Sequence, residues 1–256
     1  MDRTVRHLPR TRRRRSRNGV RAVEPDAGTA VTRTAAVEQL AAAIVALRPG
    51  HPARVAIDGV DGAGKTTLAD ELVEPLRRAG REVIRASIDG FHYPREVRYA
   101  RGPDSPEGYF LDSFDYDAVR RELLDSLGPT GDRKFRTAVF DYRTDRTVES
   151  ARQSASREAV LLFDGVFLSR PELEGSWDMR VWLDVPFEIT IERAIARDSR
   201  RGGDAASTRA KYERRYVPGQ RLYLAQCRPL ERADVVFYNS DLDRPKVVSG
   251  ARSQGK

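Results

Sequence analysis

Short apolar runs alternate with longer amphipathic stretches along most of the chain. Residues 54–58 carry Val-Ala-Ile and run directly into a glycine-rich turn. Brief runs with β-branched side chains recur at residues 82–87, 136–141, 159–163, 179–185 and 233–238, and this pattern predicts strands. Apolar positions at helical spacing predict helices over residues 34–47, 65 to about 79, 116–127, 186–200 and 207 to about 228. Thr34 is the expected cap of the first helix and Pro49-Gly50 its stop. Strands that alternate with helices predict an α/β fold in which a mainly parallel sheet is covered on both faces. Ligands of such sheets bind beyond the carboxyl ends of the strands.

The 256 residues suffice for one such domain with tails. A formal charge of +8 suggests nucleic acid until its distribution is examined. Residues 1–33 hold ten Arg and no Lys against Asp2, Glu24 and Asp26, a charge of +7 that leaves about +1 for the remainder. With so few apolar side chains, this arginine-rich segment is expected to be a disordered tail, either inert or in weak contact with polyanions. The paired arginines resemble an export signal, yet Glu24, Pro25 and Asp26 stand where an apolar stretch would follow. The domain is expected over residues 34–240 and a loose tail over 241–256. No stretch reaches the roughly 20 apolar residues of a membrane helix, so no membrane association is expected. Cys227 is the sole cysteine, which fits a cytoplasmic location and a packing role in a helix. Whether the chain forms a homo-oligomer is left open by the sequence.

Gly59-Val60-Asp61-Gly62-Ala63-Gly64-Lys65-Thr66 satisfies the phosphate-loop pattern G-x-x-x-x-G-K-[ST] between a predicted strand and a predicted helix. Glycines let backbone N–H groups converge on phosphate oxygens, Lys65 can reach the β- and γ-phosphates, and the Thr66 hydroxyl can ligate Mg²⁺. Gly59, Asp61, Gly62, Ala63, Gly64, Lys65, Thr66 and Thr67 are therefore the expected ATP-binding segment. Asp164 follows the apolar run Val160-Leu-Leu-Phe163, where a carboxylate would join Thr66 in holding the metal. Asp89 stands just past another predicted strand, where it could take the proton of an attacking hydroxyl. His92 and Tyr93, in the same Asp89-Gly-Phe-His-Tyr-Pro segment, are candidates for the acceptor pocket. Arg193 and Arg197 fall four apart on a predicted helix and share a side, where guanidinium groups could neutralise a transferring phosphoryl.

Together with Ser113-Phe-Asp115-Tyr-Asp117, Val139-Phe140-Asp-Tyr142-Arg-Thr-Asp145, Asp164-Gly165, Arg197-Asp-Ser-Arg200-Arg201-Gly202 and Ala233-Asp-Val-Val-Phe, these segments resemble the uridine kinase and phosphoribulokinase-like family of P-loop kinases, which includes pantothenate kinase. The resemblance covers roughly residues 53–240. It implies a three-layer P-loop NTPase fold with a five-stranded parallel core, ATP with Mg²⁺ as donor, Asp89 as base and Asp164 as metal-associated acid. It also implies a helical lid over residues 193–201, with Arg193 and Arg201 on ATP and Arg197 on the moving phosphoryl, and Asp115 on substrate hydroxyls. The residues that meet a pyrimidine edge in uridine kinases correspond to Phe140 and Asp145, beside Tyr142. A phenylalanine can stack on a ring but cannot donate a hydrogen bond to it. The expected activity is therefore transfer of the ATP γ-phosphoryl to the 5′-hydroxyl of uridine or cytidine, with a pantothenate- or sugar-type acceptor as the alternative. The arginine-rich segment keeps a nucleotide-binding regulator or nucleic-acid-associated ATPase as the alternative of another class.

Overall fold

The computed structural model describes residues 32–251. Residues 1–31 and 252–256, and with them the expected disorder and polyanion contact of the arginine-rich tail, lie outside the described residues.

The elements follow in the order α1 (Arg33–Val45), β1 (Ala53–Gly59), α2 (Lys65–Glu71), α3 (Val73–Arg78), β2 (Val83–Ser87), α4 (Arg95–Arg98), α5 (Pro106–Asp112), α6 (Tyr116–Val119), β3 (Lys134–Phe135), β4 (Phe140–Asp141), β5 (Arg146–Thr147), β6 (Gln153–Ser154), β7 (Val160–Gly165), β8 (Met179–Asp184), α7 (Phe187–Ser199), α8 (Ala205–Lys211), α9 (Val217–Cys227), α10 (Pro229–Arg232), β9 (Val235–Tyr238) and β10 (Lys246–Ser249). A π-helical turn, Tyr212–Tyr216, joins α8 to α9 without a break in the helical path. A 3₁₀ turn, Ile88–Phe91, follows β2.

One sheet runs in the order β10-β9-β8-β1-β7-β2. Five strands are parallel, as expected, and β10 pairs antiparallel to β9 at the edge. β1 and β7 are buried along their whole length, which is why their sequences read as continuous apolar runs rather than alternating ones. Register sets Ser87 beside Asp164 and Ile57 beside Asp164, so the polar residues that end β1, β2 and β7 gather at one edge.

Four expectations need correction. Residues 136–141 do not enter the sheet. β4 pairs only with β5, and the Val139 N–H is spent on the Gly90 carbonyl at 2.9 Å. A short apolar run with β-branched side chains suits a surface hairpin as well as a sheet strand. Residues 246–249, expected in a loose tail, supply the edge strand β10. The helix predicted over residues 65–79 is divided at Leu72 into α2 and α3, because Pro75 has no N–H to return to the carbonyl of Glu71. Finally, Thr32 rather than Thr34 caps α1, its Oγ1 accepting from the Ala35 N–H. Arg33, assigned to the tail, thereby enters the helix. Its guanidinium binds Glu71 twice at 2.8 Å and donates at 3.0 Å to Asn239 Oδ1.

Candidate active site

The phosphate loop leaves the buried end of β1 and closes on α2. Gly64 takes φ +95°, and a Cβ there would stand 2.7 Å from Asn239 Nδ2, so both conformation and space require glycine. Asn239, fully buried at the end of β9, donates to the Ala63 carbonyl at 2.7 Å and so holds the loop from behind. Lys65 is buried and its Nζ donates at 2.8 Å to the Val60 carbonyl, curled within its own loop. Thr66 and Thr67 are exposed at the start of α2.

Asp164, 2% exposed at the end of β7, accepts from the Thr66 hydroxyl at 2.7 Å and from Arg85 Nη2 at 2.9 Å. The Ser87 hydroxyl lies 3.1 Å from its carbonyl oxygen. A hydroxyl and a buried carboxylate beside a loop of amides are hard oxygen donors, and this chemistry fits Mg²⁺ accompanied by phosphate oxygens. Thr66 and Asp164 are the residues that would hold it.

Asp89 sits on the 3₁₀ turn after β2. The residue keeps solvent exposure. Its pKa is pushed up to about 6, first by loss of hydration beneath the surrounding protein and then by the negative charges of Asp61 and Asp164, against the pull of Lys65 and Arg143. The neighbouring Gly90 is required by close approach, since a Cβ there would lie 2.8 Å from that of Ala138. Lys65, Thr66, Asp61, Asp164 and Asp89 are thus brought into one electrostatically coupled group.

His92 lies between the rings of Phe114 and Tyr142, at centroid distances of 4.5 and 4.8 Å. Burial pushes its pKa down to about 4, so the imidazole is neutral at pH 7. Its Nδ1 is 3.0 Å from the Asp89 carbonyl, which assigns the proton to Nδ1 and leaves Nε2 as an acceptor. Tyr93 is half-buried and feels the charges of Asp115, Asp117, Arg170 and Glu172.

Other predicted residues are engaged elsewhere. Asp115 caps α6, accepting from the Ala118 N–H at 2.8 Å. Phe140 is 6% exposed and presents little open ring face. Asp145, at φ +54°, accepts from the Arg95 N–H at 2.9 Å and from Arg98 Nη2 at 3.0 Å, which ties the β4–β5 hairpin to α4. Arg193 Nη2 donates to the carbonyls of Asn239 and Ser240, each at 2.8 Å. Arg197 donates to Asp198 at 2.9 Å and to the Tyr212 hydroxyl at 3.4 Å, while Arg201 is exposed in the turn after α7. The three arginines therefore do not converge on the loop in this conformation. Cys227 packs in α9, and burial pushes its thiol up to about 11.

Sequence reasoning missed a second layer. Gln220 on α9 accepts from the Asp61 N–H at 2.7 Å and donates to the Asp61 carboxylate at 3.3 Å. The Tyr109 hydroxyl donates to the same carboxylate at 2.6 Å. One turn further along α9, the Tyr223 hydroxyl donates to Asp58, which also accepts from Ser169 at 3.1 Å and from the Gly59 N–H at 2.8 Å. Burial pushes the Asp58 carboxyl up to about 6 against these bonds. The polar Gln220 amid the buried positions Val217, Tyr223 and Cys227 was the available signal.

Residues 55–241 match the phosphoribulokinase / uridine kinase family. A uridine kinase of Ligilactobacillus salivarius is 26% identical over 200 residues, covering 75% of this chain and 87% of that protein. A thymidylate kinase of Jannaschia sp. is 30% identical over 157 residues, covering 58% and 71%. Among solved structures, one described as a possible uridine kinase from Bacillus stearothermophilus superposes with a TM-score of 0.63 at 25% identity, covering 79% of this chain and 97% of that one. A phosphate loop on a parallel sheet, a carboxylate beside it and a match across these residues lead to one assignment: the chain belongs to the phosphoribulokinase / uridine kinase family of P-loop kinases, phosphotransferases with an alcohol acceptor.

Proposed function

We propose that the chain transfers the γ-phosphoryl group of ATP to the hydroxyl of a small molecule, with Asp89 as the base. The observation that carries this reading is the position and chemistry of Asp89: a solvent-exposed carboxylate just past β2, held near pKa 6, in the electrostatic neighbourhood of Lys65 and Asp164. Such a group is ionised at pH 7 yet basic enough to accept a proton as the hydroxyl attacks. Lys65 leaves the Val60 carbonyl to meet phosphate oxygens, and the exchange of one acceptor for an anionic one favours that movement. Mg²⁺ held by Thr66 and Asp164 would supply positive charge against the phosphates. Neutral His92 offers Nε2 as an acceptor for an acceptor-side hydroxyl, and the Tyr142 ring packs 4.8 Å from it. Arg193, Arg197 and Arg201 would serve the nucleotide and the moving charge only after exchanging their present partners.

The 5′-hydroxyl of uridine or cytidine is the leading acceptor, supported by the names of the relatives. A sugar- or pantothenate-type acceptor is the second reading, favoured by a specific observation: Phe140 is buried and Asp145 is committed to Arg95 and Arg98, which leaves neither free for a pyrimidine edge. A panel of alcohols incubated with labelled ATP separates them, since transfer to pantothenate or a sugar with none to uridine rejects the first. Asp89→Asn should retain ATP binding while turnover falls roughly 10²- to 10⁴-fold. Unchanged turnover would remove Asp89 from its role. Deleting residues 1–31 should leave turnover intact, whereas a nucleic-acid-associated ATPase would lose its main partner.

A further inference from the structure

We propose that the acceptor alcohol carries an anionic group, a phosphate or a carboxylate, which docks in the basic cleft between α4 and α8 on Arg95, Lys211 and Arg214. This rests on the kinase reading above and favours its second acceptor class, the sugar- or pantothenate-type alcohol, over a neutral nucleoside. The cleft encloses about 460 Å³, and its walls include those three cations together with Tyr99, Ser207 and Asp104. Three positive charges against one negative leave the cavity at +2. Among the described residues none of the three has a carboxylate in ion-pair range, whereas Arg54, Arg101 and Arg209 elsewhere are paired with Asp178, Asp112 and Glu192. Arg95 instead lies 5.6 Å from the Tyr99 ring centroid, and Lys211 Nζ lies 5.1 Å from that of Tyr216. Like charges gathered round one cavity repel each other, and an anion relieves that repulsion.

The cleft is braced from beneath. Arg215, 2% exposed, donates to the carbonyls of Pro103 at 2.8 Å, Arg98 at 3.1 Å and Gly102 at 3.2 Å, joining the helix that follows α8 to the segment after α4. Its guanidinium carbon also lies 4.6 Å from the Tyr99 centroid. The two walls that carry the unpaired cations are thus fixed to each other.

Position assigns the cleft to the acceptor side. Arg95 directly follows the segment running from Asp89 to Pro94. On the opposite wall, the Tyr216 ring beneath Lys211 packs 4.8 Å from that of Tyr109, whose hydroxyl meets Asp61, and the charge of Asp61 is felt by both Asp89 and His92. Arg33, Arg193 and Asn239 gather instead behind the phosphate loop. In the reaction the acceptor oxygen bonds to the γ-phosphorus, the bridging oxygen leaves with ADP, and the hydroxyl proton passes to Asp89. The anionic group is unchanged and acts only as an anchor.

The test uses the full chain, labelled ATP and acceptors paired by one charge: glycerol with glycerate, and ribose with ribose 5-phosphate. The anionic member should be preferred in kcat/KM, and the two pairs distinguish carboxylate from phosphate. Lys211→Ala/Arg214→Ala should raise the KM of the preferred anionic acceptor roughly tenfold or more for each cation lost, while the KM for ATP stays within about twofold. Preference for the neutral members with no effect of the double variant overturns the inference and leaves the kinase reading standing. Absence of turnover with these four acceptors and with uridine, cytidine and pantothenate overturns the kinase reading. Inorganic phosphate binding, measured calorimetrically with a non-hydrolysable ATP analogue filling the loop, then decides the cleft separately: binding lost in the double variant supports the anion site, and no binding in the unmodified chain overturns it.

Discussion

Asp61→Asn should move the acid side of the pH–rate profile to lower pH. Turnover requires Asp89 as a carboxylate, and its pKa stands at about 6 rather than the ordinary 3.8. At pH 5 only about a tenth of the enzyme then has an ionised base, where an unperturbed aspartate would be about nine-tenths ionised. Loss of hydration is the largest cause of the rise and Asp61 the second. Asparagine keeps the size of Asp61 and an oxygen for the Tyr109 hydroxyl, but removes the charge. Because hydration loss survives the substitution, the acid limb should fall by roughly half a pH unit to one and remain above 4. The assay is kcat/KM for the acceptor at saturating ATP between about pH 4.5 and 8.5, with thermal melts at each pH to exclude unfolding. An acid limb near 4 in the unmodified enzyme, or one unmoved or raised in the variant, would refute the electrostatic assignment.

Gly64→Ala should abolish measurable ATP binding, read by calorimetry, because φ +95° and Asn239 Nδ2 at 2.7 Å both oppose the new methyl. Asn239→Ala strips the Ala63 carbonyl of its donor and should cost about 1 to 3 kcal/mol in urea denaturation, together with a raised KM for ATP. Tyr223→Phe should destabilise by a similar amount at pH 8 and by less at pH 4. The sign follows from Asp58: its folded pKa of about 6 exceeds 3.8, so the folded state binds protons more tightly and loses stability as pH rises between those values. Removing the Tyr223 hydroxyl, which lowers that pKa, deepens the loss where Asp58 is ionised, and pH-dependent melts would show a gap that widens with pH.

What was legible in the sequence was local. The loop from Gly59 to Thr66, the apolar runs of β1 and β7 and the carboxylate closing β7 depend on neighbours in the chain, so their spacing discloses them. Asn239 and Ala63 are 176 residues apart, and Gln220 and Asp61 are 159 apart. No local pattern encodes such pairs. Gln220 could be noticed only as a polar intruder on a buried helical stripe, and Asn239 only as the residue that closes a strand. The misplacement of residues 136–141 has the converse cause: a short apolar run marks an extended segment but not its partner, and here the partner is an adjacent short segment. Asp145 shows a third limit, because a carboxylate suited to a substrate amine is equally suited to Arg98, and only packing decides between them.

The anchoring of Arg33 bears on how the chain can be handled in the laboratory. Its backbone N–H reaches the Asp243 carbonyl at 3.0 Å and its side chain reaches the Leu242 carbonyl, so the start of α1 is fastened to the β9–β10 connection behind the nucleotide loop. From there β10 runs antiparallel to β9, so Gly250 meets Asp234 at the opposite end of that strand, away from the nucleotide loop. Trimming the arginine-rich leader one or two residues too far would unfasten Glu71 and Asn239 together, so the cut belongs ahead of Thr32.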